Sequence, residues 1–60
     1  MFAIGDKVKI VKHVNTKLND NIGEILGYGS TANIPIAYQV KFDSGEYYAL
    51  SGYNLELIYE

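Results

Sequence analysis

A chain of 60 residues with no cysteine holds one small domain and excludes a disulfide framework or a thiolate metal site. Five lysines, no arginine and seven acids give a net charge of −2, which weighs against strong non-specific binding to nucleic-acid phosphate. No apolar run of about 18 residues occurs, so no membrane span is expected. MFAIGDKVKI (1–10) also lacks the basic region and long apolar run of a signal peptide, and a cytoplasmic protein is the expectation.

The dominant period along the chain is two. In KVKIVK (7–12), Val8 and Ile10 alternate with Lys7 and Lys9, the pattern of a strand with one wet face. HVNTKLNDN (13–21) is rich in Asn, Thr and Asp, which bond to their own backbone, and predicts a long first loop. IGEILGYG (22–29) predicts a second strand. Its three glycines suit a strand that bends sharply or lets another backbone come close. STANIP (30–35) is a loop with the only proline.

IAYQVKF (36–42) alternates, with Tyr38, Val40 and Phe42 on one face and Ala37, Gln39 and Lys41 on the other. DSG (43–45) predicts a tight hairpin turn, and EYYALS (46–51) the fourth strand. GYN (52–54) predicts one turn of 3₁₀ helix, and LELIY (55–59) the fifth strand. The expected core is Val8, Ile10, Ile25, Tyr38, Val40, Phe42, one face of 46–51, Leu55, and Leu57 or Ile58. Five short strands without a helical period define an all-β chain. Closing the sheet into a five-stranded SH3-like barrel removes exposed edges at this size. A five-stranded OB barrel is the rival.

The stretches FAIGDKVKI, IGEILGY, YQVKFDSGEYY and LELI resemble the SH3-like barrels of bacteria and phage, including KOW modules and the photosystem I subunit that docks ferredoxin. The resemblance is closest to the type II (type B, plasmid-borne) dihydrofolate reductases. Phe2, Gly5, Asp6 and Val8 match that family's opening, and Gly23, Ile25 and Gly27 its second strand. Thr31, Pro35, Tyr38 and Val40 match the middle, and Gly45, Leu55, Glu56 and Ile58 the end. The match covers nearly the whole chain, with a longer first loop and a shorter third hairpin.

That family assembles four chains around a pore, where a Val-Gln-Ile-Tyr segment meets cofactor and substrate. The corresponding positions here are Tyr47, Tyr48, Ala49 and Leu50, and a cofactor-binding lysine of the family falls near Ile10. The resemblance therefore implies the fold and not the activity, and no cofactor is expected.

No catalytic constellation stands out. His13 is the only histidine, so no histidine pair can bind a metal. Asp20 and Glu24 are too few for a calcium site. GYGST (27–31) is glycine-rich but precedes no predicted helix that could complete a phosphate cradle.

The tyrosines are the better candidates. Alternation sets Tyr47 and Tyr48 on opposite faces, so one joins the core and the other faces out. Together with Tyr28 and Tyr53 they form the expected binding surface, each a flat apolar body with a polar tip. Lys7, Lys9 and Lys41 point outward on strands one and three, as a solvated face or a shallow basic stripe.

The expected function is a non-catalytic interaction module, in a phage or mobile-element setting, that binds a protein partner through its tyrosines. The alternatives are a KOW- or Tudor-like nucleic-acid module and an NADPH-dependent reductase-like homo-oligomer.

Overall fold

The computed structural model describes residues 2–59. Strand β1 (Lys7–Ile10) buries Val8 and Ile10 completely and leaves Lys7 and Lys9 half-buried, as the alternation predicts. β2 (Ile22–Gly29) follows the long loop, then β3 (Ala37–Phe42), β4 (Tyr47–Ser51) and β5 (Leu55–Leu57). All neighbouring pairs are antiparallel in one five-stranded sheet of order β4-β3-β2-β1-β5. The protein is all-β, and its helical content among the described residues is two 3₁₀ turns, Thr16–Leu18 and Gly52–Asn54. The second stands directly before the last strand, where the sequence predicts it. No helix of the described residues is long and apolar enough to cross a membrane.

The boundaries differ in places, for local reasons. β1 stops at Ile10 rather than residue 12, because Lys12 takes a φ of 57° and turns the chain out of the sheet. The loop expected over 13–21 contains the first 3₁₀ turn, capped by the Asn15 side chain, which accepts from Lys17 N. β4 begins at Tyr47 because Glu46 belongs to the hairpin end. Gly45 N donates to Phe42 O at 2.8 Å, and Phe42 N donates to Glu46 O at 2.8 Å. Gly45 holds a φ of 96° there, a backbone state that a three-residue hairpin loop reserves for glycine.

β2 is the central element and pairs with β1 on one side and β3 on the other. Its register against β3 shifts between Ile25 and Gly27, so Leu26 is the extra residue of a bulge. The glycine-rich strand thus bends, as expected. At Gly23 the second expectation holds as well. A Cβ built there would stand 2.5 Å from Val40 Cγ1 and 2.9 Å from Lys41 O.

Val8, Ile10, Ile25, Tyr38, Val40, Phe42, Leu50 and Leu55 form the core, with Phe2, Leu18 and Tyr48 packed against it. Leu57 and Ile58 are half-buried, so Leu55 is the last strand's core residue. Ala37 keeps its expected face but is not wet. It lies opposite Gly29 and Ser51 in the sheet, yet it is only 5% exposed. Asn54 ties the far ends of the chain together. Val11 N donates to Asn54 O at 2.9 Å, and Asn54 Nδ2 donates to Val11 O and Lys12 O at 3.2 Å each.

Candidate functional site

The register of β2, β3 and β4 brings small residues together on one face. Gly27 stands opposite Gln39, which stands opposite Ala49, and Gly29 stands opposite Ala37, which stands opposite Ser51. Residues directly opposite one another share a face of the sheet. Built Cβ atoms at Gly27 and Gly29 meet nothing within 4 Å, so open space lies above both. The result is an open groove of about 440 Å³, lined by Gly27, Gly29, Ala37, Gln39 and Ala49 with Ser30 and Thr31 from the following loop. Tyr28, Tyr47 and Tyr48 complete its lining. No lining residue carries a charge.

Three of the four tyrosines expected to form a surface border the groove, but only Tyr47 stands on its face; Tyr28 and Tyr48 lie opposite Tyr38 and Val40, on the core face of the sheet. Tyr47 is 57% exposed, and Lys41 Nζ lies 5.7 Å from its ring centroid. Tyr48 is the partner that joins the core. Its ring packs 4.7 Å from that of Phe42, and its hydroxyl donates to Glu46 Oε2 at 3.4 Å. Tyr28 is exposed at the end of β2 and leans on Tyr38, with ring centroids 6.2 Å apart. Tyr53 does not line the groove. It stands in the second 3₁₀ turn, where Lys12 Nζ lies 5.0 Å from its ring centroid.

The lysines are interleaved with acids rather than gathered in a stripe. Lys7 faces Glu24 across β1 and β2, with Nζ 3.7 Å from Oε1, and Glu24 in turn faces Lys41 on β3. Lys9 reaches Asp20 at 3.8 Å and lies opposite Glu56. These are exposed pairs, worth little to stability, but they cancel the local positive field. His13 is held in the first loop. Its backbone N donates to Asn19 Oδ1 at 2.9 Å, and its Nδ1 accepts from Asn15 N at 3.0 Å. No group of three or more metal-ligating side chains comes together among the described residues. Residues 27–31 run into the groove wall and a loop, not into a helix.

The groove floor escapes sequence reading because it depends on pairing between strands. Gly27, Gly29, Ala37 and Ala49 are unremarkable singly, and only the bulge at Leu26 sets them side by side. Compared with protein-family models, with curated proteins and with solved structures, the chain matches none.

Proposed function

We propose that this chain is an SH3-like small barrel that acts as a non-catalytic binding module, taking a protein partner in the groove on β2, β3 and β4. The observation that carries the reading is the uncharged groove with a floor of glycine and alanine and the exposed Tyr47 on its wall. Tyrosine supplies large contact area at low entropic cost and a hydroxyl for the rim. The strand order and the 3₁₀ turn before β5 support the SH3-like assignment. The pairing of Lys7 and Lys9 with carboxylates weighs against the nucleic-acid alternative. The lack of any ionisable group in the groove lining likewise gives no support to acid-base chemistry there, tyrosine hydroxyls aside.

The test is selection of binders from a displayed library of random peptides, followed by measurement against variants. Gly27→Leu fills the floor without a steric conflict at Cβ, and Tyr47→Ala removes an exposed wall. Each should weaken selected peptides by at least about tenfold, in the range of a binding hot spot. Tyr53→Ala should leave them unchanged. Selected peptides that bind Gly27→Leu and Tyr47→Ala as well as the parent chain would refute the groove as the site, and so would a library that yields no binder.

A further inference from the structure

The two edges of the sheet are built differently. β5 is three residues long and carries Glu56 at its centre. β4 is five residues long, Tyr-Tyr-Ala-Leu-Ser, with no charge, no proline and no irregularity in its pairing with β3. Natural edge strands are normally guarded by such features, because an unguarded edge is a template for another strand. Among the described residues β4 pairs with β3 alone.

The hairpin geometry identifies which β4 groups are open. Phe42 and Glu46 form a hydrogen-bonded pair, and such pairs alternate along an antiparallel ladder. Tyr48 and Leu50 therefore bond to Val40 and Tyr38. Tyr47 and Ala49 turn both their N–H and their C=O away from β3, and no other backbone or side chain among the described residues bonds to them. Both side chains lie on the outer face with Lys41 and Gln39, and both residues line the groove. The open edge and the groove are one continuous surface.

We propose that β4 docks an extended, uncharged segment of another protein, which pairs its backbone with Tyr47 and Ala49 and sets a large apolar side chain against Ala49 at the near side of the groove. The inference rests on the groove reading above and adds the partner's conformation and chemistry. An extended backbone is what open N–H and C=O groups at every second residue accept. A residue paired with Ala49 places its own side chain on Ala49's face, next to Ala49 at the near side of the groove. The small side chain of Ala49 leaves room beside it for a ring, and an uncharged lining offers a charged side chain nothing to offset its desolvation.

The probe is the blocked peptide acetyl-Thr-Phe-Thr-Phe-Thr-amide, titrated into the isotope-labelled full chain and followed by amide NMR and hydrogen exchange. The Tyr47 and Ala49 amides should shift, and their exchange should slow by at least about tenfold, while the Tyr53 amide stays as it was. N-methylation of both phenylalanines blocks the N–H groups that face β4 and should cost at least about tenfold in affinity. N-methylation of the central threonine, whose N–H points away, should cost far less. Phe→Glu in the peptide should also lose at least about tenfold.

Equal binding by the N-methyl-phenylalanine peptide, with shifts still at Tyr28, Thr31 and Gln39, would overturn strand docking while leaving the groove reading intact. No shift at any groove residue with millimolar peptide would overturn both. Tyr47 and Ala49 amides already protected in the free chain, in proportion to its concentration, would make a second copy the occupant and overturn the proposal. Shifts produced instead by a short single-stranded oligonucleotide would do the same.

Discussion

Gly23 and Gly27 lie four residues apart in one strand and do opposite work. A Cβ at Gly23 would collide with Val40 Cγ1 and Lys41 O and crowd Phe42 Cδ1, while one at Gly27 meets nothing. Lys41 O is backbone within the ladder and Val40 is fully buried, so neither can yield easily. Gly23→Ala should therefore destabilise the fold by about 1–3 kcal/mol, the usual cost of overpacking. Gly27→Ala should stay within about 0.5 kcal/mol, as an open surface substitution does. Urea unfolding of the two variants checks both. Equal effects would mean that β2 and β3 do not approach as closely at Gly23 as the structure has them. The sequence flags both glycines as breaks in a strand. It cannot separate them, because the difference lies in which residues of β3 stand opposite.

The strands themselves are legible because a two-residue period follows from which face is buried. β2 and the second 3₁₀ turn fall on their predicted residues, and every core residue named without an alternative is buried. What escapes is long-range. Lys12 turns left-handed, and Asn54 closes the gap to it across more than forty residues of sequence. Nothing local to GYN announces that Asn54 is a structural tie, since asparagine is an ordinary turn residue. Phe2 is similar. Its ring meets Tyr38 edge-on at 5.3 Å, yet no period places a residue outside the strands. Asn54→Ala removes two donated hydrogen bonds between the turn before β5 and the chain leaving β1. It should cost about 1–2 kcal/mol, with Asn54→Asp no better, because a carboxylate cannot donate to carbonyls. Thermal unfolding of both variants is the check, and full stability in Asn54→Asp would show that the donated bonds are dispensable.

The chain as a whole is compact without help from a partner. Its radius of gyration is 10.4 Å, against about 10 Å expected for a folded domain of this length. Its accessible surface of 4111 Å² compares with roughly 3900 Å² from the scaling of monomeric proteins. A core of eight residues in a domain this small leaves a stability on the order of 3–5 kcal/mol, yet the core is closed within one chain. Folding should then be independent of association. The unfolding midpoint in urea is expected to stay constant over about a hundredfold range of protein concentration, since only binding linked to the native state makes it move. An obligate oligomer behaves otherwise, because dissociation accompanies unfolding and the midpoint climbs with concentration. The same experiment bears on function. A constant midpoint leaves the β4 edge and its groove free for an outside segment and removes the shared pore that the reductase-like alternative needs. A climbing midpoint would show that the native chain associates with itself, and Tyr47→Ala would then test whether the β4 edge carries that contact.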